Sequence, residues 1–506
     1  MRRILTPPTG SNVGSIVKSA LLAGAALALA ACQTPTQAPL TSAEFQAHAQ
    51  SLRASLNANS TPVRAPIGVF EAMARALKHN LDHRVSMMEL DLARRDFELS
   101  RYDQLPKVVA SGAYFGRDNS PGASSLSLLT GRQSLEPSTS VEDEYAAGDL
   151  TASWNILDFG LARVRAEQLG DEALVAEERR RKAVISIMED VHRAYWRAVS
   201  AERLSRRLAE LEGDVRQSFE SSRALYTGGR TAPLPALSYQ RELNDIQGQA
   251  QRLGREMAES KAELAALMGL PPDRAFSLVI PTRFEAPRPL AMPLDRMLDT
   301  ALGQRPEVRE AAYKVRIGEA EIRRATLEAF PSLEGFVGLN GSTNDFLFNQ
   351  DWVGYGARAS WNLIDIFETP ARRRRARAYR DVEQQKALAT AMAVMTQVAV
   401  SRVRYEKLMA EYRTAEAGAS VQGDITSLVA RRARASSASA QTLVRERMNA
   451  ILSEARRDAV HAHMREAEAQ VYAALGYDPY PVDVRGDEDL ATLTRALQQL
   501  WTARQL

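Results

Sequence analysis

A four-residue sequence that occurs twice constrains the fold of this chain more than any other feature. Ala152–Asn155 and Ala359–Asn362 both read Ala-Ser-Trp-Asn, and each ends a stretch in which apolar and polar residues alternate. Each is followed, within about ten residues, by a charged stretch that keeps a helical period over many turns. The change from a period of two to a period of about 3.6 predicts a β-strand that leads into a long helix, and it predicts this arrangement twice.

Each of these strands has one apolar and one polar face. Leu150, Ala152 and Trp154 point to the same side of the first strand, because successive side chains of a strand alternate. Tyr355 and Trp361 mark the apolar face of the second strand. An apolar band with aromatic residues opposite a polar band is typical of a membrane β-barrel strand, and a half-buried strand of a soluble sheet has the same pattern. The alternation alone leaves both interpretations open.

The first residues of the chain have the pattern of a bacterial lipoprotein signal. A basic start is followed by the short apolar segment 20–31, which is too short to span a membrane. Leu29–Cys32 (Leu-Ala-Ala-Cys) resembles the bacterial lipobox, in which the cysteine becomes the acylated N-terminus. Cys32 is the only cysteine, so no disulfide is available and we expect this thiol to carry lipid. Gln33 follows it, and resemblance to Gram-negative sorting rules implies delivery to the outer membrane.

The charge of the chain gives no reason to expect a nucleic-acid partner. The formal net charge is +3, and Arg2, Arg3 and Lys18 of the signal segment account for the excess. Without them the positive and negative side chains balance, so the basic surface that nucleic-acid binding requires is not indicated. The sequence also lacks a Ser-His-Asp set, a Gly-rich phosphate loop and a carboxylate pair. We therefore predict a protein that is not an enzyme and that has no cofactor besides the lipid on Cys32.

The order of predicted elements repeats along the chain. The first half begins with a helix from Gly68 to about Leu105, which is followed by two strands joined by the loop 117–143. A helix from Asp158 to Tyr226, a turn and a return helix to Gly269 complete it. In the second half, the same order runs over a helix 294–330, strands 332–341 and 353–362, a helix 371–430, a turn 433–439 and a return helix to Gly476. A tandem duplication explains this order.

The duplication defines the predicted domains. These are a signal segment (1–31), a lipidated tether (32–66), repeat 1 (67–281), repeat 2 (282–482) and a tail (483–506) that contains an amphipathic helix. The fold class is mainly α with a transmembrane β-barrel.

A duplicated helix–strand–strand–long hairpin unit behind a lipobox resembles the TolC-like outer-membrane efflux protein family. The resemblance covers roughly residues 66–482 and is carried by Pro106 and Pro331, by the two Ala-Ser-Trp-Asn strands, and by the Gly269 and Gly476 helix ends. It implies a homotrimer with one twelve-stranded barrel and a periplasmic α-helical coiled-coil tunnel. It also implies a Gram-negative outer-membrane location and passive export from a periplasmic adaptor protein and an inner-membrane pump.

The resemblance and the strand faces together give candidate site residues. Lumen-facing positions are Ser153, Asn155, Glu334, Arg358, Ser360 and Asn362, and lipid-facing positions are Tyr114, Trp154, Tyr355 and Trp361. Adaptor-contact turns are Gly228, Gly229, Arg230 and Thr231 in the first half and Ala435, Ser436 and Ser437 in the second. Family members often carry an acidic gate past the second turn, where this chain has Gln441 and Val444.

Other interpretations stay open at this level. The chain could be a lipid-anchored periplasmic coiled-coil scaffold without channel activity, with its strands in a small soluble sheet. His461 and His463 lie two residues apart, so they face different sides of a helix; we expect solvated side chains and no metal site. The arginines 372–375, 377 and 380 are either a nucleic-acid patch or, given the neutral chain, a solvated or lipid-headgroup-facing helix start.

Overall fold

The computed structural model describes residues 39–58, 61–134, 136–229, 232–271, 274–282, 284–435, 440–477 and 488–503. These belong to two units, Met1–Ala58 and Asn59–Leu506. In the first unit, helix α1 (Ser42–Ala58) begins with a capping box, because the Glu44 carboxylate accepts the Thr41 N–H at 2.7 Å and Thr41 Oγ1 accepts the Glu44 N–H at 3.3 Å. The predicted signal segment and the lipidation residue Cys32 lie outside the described residues.

The second unit contains the same order of elements twice. The first copy comprises α2 (Val69–His79), α3 (Leu81–Ser100), β1 (Lys107–Gly116), β2 (Glu144–Asn155), α4 (Ile156–Thr227) and α5 (Pro233–Leu267). The second comprises α6 (Leu294–Gln304), α7 (Pro306–Leu327), β3 (Ser332–Ser342), β4 (Asp351–Ser360), α8 (Leu363–Arg434) and α9 (Ala440–Ala474), and α10 (Leu490–Ala503) follows. Helices α4 and α8 both have 72 residues, and α5 and α9 both have 35. The predicted duplicated, mainly α fold is confirmed.

The asparagine of each Ala-Ser-Trp-Asn sequence caps the long helix that follows it. Asn155 Oδ1 accepts the N–H groups of Leu157 and Asp158 at 2.9 and 3.2 Å. Asn362 Oδ1 accepts the N–H of Ile364 at 3.2 Å. These bonds satisfy donors that the first turn of a helix leaves without intrahelical partners. The repeated sequence therefore marks the change from strand to helix.

The second copy of this junction differs from the prediction in two details. Strand β4 ends at Ser360, so Trp361 and Asn362 lie beyond the strand in which we had placed them. Helix α8 begins at Leu363 instead of Ala371 and continues through Pro370. The Asn362 cap allows the early start, and Pro370 deprives only the Ile366 carbonyl of its helical donor, a loss that a long packed helix tolerates.

The first helix of each repeat is broken, which the sequence analysis missed. Asn80 is extended between α2 and α3 and caps α3, and Arg305 is extended between α6 and α7. Arg305 precedes Pro306, which disfavours a helical conformation in the residue before it. Helix C-terminal glycines pack against both breaks: Gly269 has φ 65° and Gly476 has φ 72°, and a Cβ there would lie 2.6 Å from His79 Cβ and 2.7 Å from Arg305 N, respectively.

Three buried apolar clusters hold the helices together. One joins α2, α4, α5 and α10, and a second joins α6, α8 and α9. The third lies between the helical hairpins and includes Leu211, Leu243, Val444 and Met448 from α4, α5 and α9. The predicted amphipathic tail helix is present as α10, whose Leu493 and Leu497 are buried in the first cluster. Among the described residues, none of the helices is long and apolar enough to cross a membrane.

Candidate functional site

The four strands form one antiparallel sheet in the order β1-β2-β3-β4, and their register places the apolar residues on a single face. Val337 lies opposite Ala152 on one side and Tyr355 on the other, and Ala110 lies opposite Leu150. The apolar face therefore contains Val108, Ala110, Tyr114, Leu150, Ala152, Trp154, Leu333, Val337, Leu339, Val353, Tyr355 and Ala357. This is the face expected from the alternation of each strand, now aligned across all four.

The predicted lipid-facing residues divide into two groups. Tyr114, Trp154 and Tyr355 lie on the apolar face of the sheet, and their side chains are substantially exposed in the single chain. Trp361 lies past the end of β4, where its indole N–H donates to the Ala329 carbonyl at 3.2 Å. It therefore lies between the sheet and α8, outside the strand in which we had placed it.

The predicted lumen-facing residues occupy the opposite face, with one exception. Asn155 lies opposite Glu334, Glu334 lies opposite Arg358, and Asn155 donates to Ser332 Oγ at 2.6 Å. Ser153 and Ser360 share this face, and Asn362 is the helix cap described above. Asp149 accepts hydrogen bonds from Ser111 and Thr151 on the same face. The polar face thus carries its own hydrogen-bond network, which the sequence reasoning did not find.

Glycines allow larger side chains to lie flat on this polar face. The ring of Phe336 covers Gly356, where a Cβ would lie 2.7 Å from Phe336 Cζ, and a Cβ on Gly338 would lie 2.7 Å from Thr151 Oγ1. A glycine in a strand often marks a place where another group approaches the backbone closely. The two glycines thus leave room for the side chains of Phe336 and Thr151 on the polar face.

The loops at the far end of the sheet are joined to each other. Asn344, in the β3–β4 loop, donates to the Ser140 carbonyl at 3.1 Å and accepts the Glu142 N–H at 3.2 Å. The longer loop, 117–143, continues as a short irregular hairpin through the pairs Ala123–Ser138 and Leu126–Gln133. Leu128 and Leu129 at its tip are almost fully exposed.

The turns at the opposite end of the helical hairpins differ between the repeats. Gly229 ends α4 with φ 67° and donates to the Tyr226 carbonyl at 3.1 Å, and Gly228 donates to the Ala224 carbonyl at 3.0 Å. Ala435 ends α8 without a left-handed residue, at φ −86°. Arg230, Thr231, Ser436 and Ser437 lie outside the described residues, as does the side chain of Gln441. Val444, at the other position where relatives often carry an acid, is buried between the hairpins.

Ion pairs join the second hairpin to the first, and the sequence analysis did not predict them. Arg445 binds Glu242 and Arg447 binds Asp214. Further along, Arg203 holds Asp458 with two hydrogen bonds of 2.9 and 2.8 Å. The two residues of each ion pair are more than 200 positions apart in sequence; Arg445 and Glu242, for example, are 203 positions apart. No local sequence pattern therefore links them.

Asp458 is buried, and its environment is strongly charged. Its side chain is fully enclosed, and Arg457 also binds it at 2.8 Å. Burial raises the pKa of Asp458 above the ordinary range, against the opposing effect of Arg203 and Arg457. The arrangement couples α4 to α9 in the middle of the helical body.

His461 is buried, so the expectation of a solvated side chain was wrong for this residue, whereas His463 is exposed as expected. The His461 ring stacks on Phe284 at 3.9 Å, and Phe284 comes from the linker between the repeats. His192 is also buried and stacks on Trp501. Burial lowers the pKa of both histidines to about 3, so both rings are neutral at physiological pH. Within the described ranges, no group of His, Cys, Asp and Glu side chains forms a metal site.

Comparison with known proteins gives one sequence family and one fold. Residues 72–270 match the family described as outer membrane efflux protein. The chain is 26% identical to a probable outer membrane lipoprotein SilC of Salmonella typhimurium over 314 residues, 60% of each chain. It is 24% identical to a probable efflux pump outer membrane protein TtgC of Pseudomonas putida over 51% of each chain. The matches thus span between about half and three fifths of these relatives.

The solved Campylobacter jejuni CmeC outer membrane channel has the same fold. The TM-score is 0.64 at 15% identity, covering 86% of this chain and 90% of that one. The resemblance to the TolC-like outer-membrane efflux family is thereby confirmed. The matched family is one of efflux proteins, in agreement with the expectation that the chain is not an enzyme.

Proposed function

We propose that this chain, which resembles the outer membrane efflux protein family in sequence and fold, is the outer-membrane channel of a tripartite export system. Three copies would close their sheets into one twelve-stranded barrel and their helices into a periplasmic tunnel. Substrates would pass from an inner-membrane pump and a periplasmic adaptor to the exterior, without chemistry in the channel. The single observation that carries this proposal is a four-stranded sheet with an exposed apolar face and two open edges.

The open edges argue for closure with other copies. Strands β1 and β4 have a neighbour on one side only, so each leaves a row of backbone donors and acceptors unpaired. In lipid each unpaired group costs several kcal/mol, and only a closed barrel removes all of them. Joining β4 of one copy to β1 of the next is a head-to-tail contact, which closes into a ring.

The helices also present apolar surface that the single chain does not cover. Leu81, Val85, Met88 and Leu92 form a stripe on α3, and all four are exposed. On α8, a second exposed set contains Leu388, Met392, Val400, Val403, Val421, Ile425 and Leu428. Exposed apolar stripes of this length mark contacts with other subunits. Their place on different helices suits a ring of identical copies.

The description of a relative supports the proposed export partners. The Pseudomonas putida relative is described as an efflux pump outer membrane protein, and we extend that role to this chain. The predicted turns Gly228–Thr231 and Ala435–Ser437 are the surfaces that we assign to the adaptor. The lipid on Cys32 would add a membrane anchor, since two or more acyl chains make membrane attachment stable.

Cysteine cross-linking tests the barrel directly. We would place Ala110→Cys in β1 and Ala357→Cys in β4 of one chain. Within a chain the two strands are three spacings apart, about 14 Å, which is too far for a disulfide. In a closed ring β4 of one copy is the neighbour of β1 of the next copy. Oxidation should therefore give covalent dimers and trimers on a non-reducing gel. Ala152→Cys with Ala357→Cys is the matched control, because β2 is an inner strand and should give none.

The same purified samples would be examined for pores. Wild-type protein extracted from membranes should run as a heat-sensitive trimer and should conduct in a planar bilayer. A monomer that neither cross-links nor conducts would sink the channel proposal and would leave the lipid-anchored periplasmic scaffold.

A further inference from the structure

The start of α8 carries an arginine cluster that the proposed channel function does not use. Between Thr369 and Arg380 there are six arginines and no acidic residue. Arg372 is bound by Asp365 and Glu368, and Arg380 is bound by Asp381. Acidic side chains of α8 neutralise the remaining arginines less fully. The cluster is therefore more than a set of ion pairs within the helix.

Three of these arginines are exposed, and they differ in how near they lie to acidic side chains. Arg375 faces the neighbouring helix α7, where it helps to lower the pKa of Glu321. Arg374 and Arg377 are exposed, and no carboxylate within the described part of the chain lies within 4 Å of either. Arg373 adds a third guanidinium beside them, and its Nε has no hydrogen-bond partner. Arg374 and Arg377 are three residues apart, so their side chains are neighbours on one helix face.

An exposed apolar group lies on the same face, nearer to the sheet. Leu363, Phe367 and Arg374 are spaced by four and seven residues, which aligns them along one side of a helix. Leu363 is 60% exposed and Phe367 is 82% exposed. Seven residues of helix separate Phe367 from Arg374, a distance of about 10 Å. The order along this face is thus apolar side chains nearer to the sheet and guanidinium groups farther along the helix.

The first repeat lacks this arrangement, although its fold is the same. Counting from the capping residues Asn155 and Asn362, Arg374 corresponds to Glu167 and Arg377 corresponds to Gly170. Glu167 is in turn paired with Arg163 and Arg323. The duplicated fold therefore does not require the guanidinium pair.

We propose that Arg374 and Arg377 form a binding site for the phosphate of an anionic phospholipid headgroup at the inner surface of the outer membrane. Aromatic and apolar side chains lie at the boundary of the hydrocarbon region, and arginines just beyond it reach the headgroups. Guanidinium groups bind phosphate oxygens with paired hydrogen bonds. The assignment rests on the proposed function, because the membrane position is set by the sheet.

The test uses the full-length protein purified in a non-ionic detergent, with dioctanoyl phosphatidylglycerol as the probe. Binding would be measured by native mass spectrometry and by titration at low salt. Because each arginine near an anionic surface contributes about 1 kcal/mol, Arg374→Gln combined with Arg377→Gln should weaken binding by about 30-fold. Arg374→Lys with Arg377→Lys keeps the charge and should retain most of the affinity.

A matched control is available on the same helix. Arg413 and Arg431 are exposed on α8, and among the described residues neither has an ion-pair partner. They lie about 60 and 90 Å along the helix from Arg374. Arg413→Gln with Arg431→Gln removes the same charge and should leave phosphatidylglycerol binding unchanged.

Several results would overturn the lipid site. These are unchanged phosphatidylglycerol binding in the Arg374→Gln, Arg377→Gln variant, equal binding of dioctanoyl phosphatidylcholine, or inorganic phosphate binding as tight as that of the lipid. Dissociation of the trimer in the variant would show that a second copy covers this face, and would also overturn it. Conductance measured on the same sample separates the two proposals, because a conducting trimer without lipid selectivity defeats only the headgroup site.

Discussion

The helical body and the sheet bury their apolar residues in different ways. In the body, clusters such as that of Leu211, Leu243 and Met448 are closed within one chain. In the sheet, Leu150, Val337 and their neighbours remain exposed on one face. The hydrophobic effect stabilises a single chain only where apolar groups leave water within that chain. The body can thus be held by its own contacts, whereas the apolar face of the sheet is left uncovered by the single chain and, under the proposed function, would be covered by lipid.

The largest expected effect comes from removing the buried carboxylate of Asp458 in the helical body. Asp458→Ala removes the fully buried carboxylate that binds the half-buried Arg203 and Arg457. Removing one partner of a buried ion pair costs about 3–5 kcal/mol. We expect a large fall in the melting temperature of the helical circular dichroism signal in detergent. Asp424→Ala, at an exposed position on α8, should change it little; equal effects of the two substitutions would show that the body does not depend on this buried contact.

The effect of a charged substitution in the sheet should depend on the face on which it lies. Leu150→Arg places a charge on the apolar face, and a cost of about 2–4 kcal/mol is typical of arginine at the middle of a bilayer. Ser153→Arg, three residues along the same strand, places it on the polar face and should cost far less. The trimer in the outer-membrane fraction, run unheated, would be quantified for both. A stronger defect in Ser153→Arg would reverse the assignment of lipid and lumen faces.

A fall in pH should lower the free energy of unfolding of the helical body, because its buried histidines are neutral. The pKa of His461 is about 3 in the folded chain and near 6.5 when unfolded, so the unfolded state takes up a proton that the folded state does not. Stability is therefore lost as the pH falls below about 6.5, by about 1.4 kcal/mol per pH unit, or about 2 kcal/mol at pH 5.

His461→Phe keeps the stacking on Phe284 and removes the titrating group. Between pH 7 and pH 5 its melting temperature should fall less than that of the wild type. His463→Phe is the control, since His463 is exposed two residues away. Parallel pH curves for His461→Phe and the wild type would contradict the role of burial.

The strand faces and the duplicated helices were predictable because they depend on local periodicity. Each strand alternates over at least eight residues, and no distant contact alters which residues share a face. The helical spacing predicted the helix over these residues but not their burial, since Met73 and Leu77 are buried in the core whereas Val85 and Met88 are exposed. A periodic stripe shows that a face is apolar, but it does not show whether the same chain or another one covers it.

Contacts between distant parts of the chain could not be predicted. His461 is buried because Phe284 of the inter-repeat linker packs on it, and Asp458 is buried because Arg203 reaches it from another helix. The break at Arg305 had a local signal in Pro306, which we did not use. The break at Asn80 had one as well, because asparagine is a preferred helix cap.

The junction between sheet and body should give the smallest effect, and it differs between the repeats. Asn155 accepts two backbone N–H groups and also donates to Ser332, whereas Asn362 accepts one N–H. Replacing a helix-capping asparagine by alanine typically costs about 1 kcal/mol. We expect Asn155→Ala to exceed that value and Asn362→Ala to stay at or below it.

Hydrogen exchange at the first turns of α4 and α8 would measure this difference. In Asn155→Ala, the amides of Leu157 and Asp158 should exchange faster, while the amide of Ile364 keeps its wild-type rate. Asn155→Asp should restore protection, because a carboxylate also accepts from the helix N-terminus. Equal acceleration in both alanine variants would mean that the bond to Ser332 adds nothing. In that case the sheet and the body would be joined in the same way in both repeats.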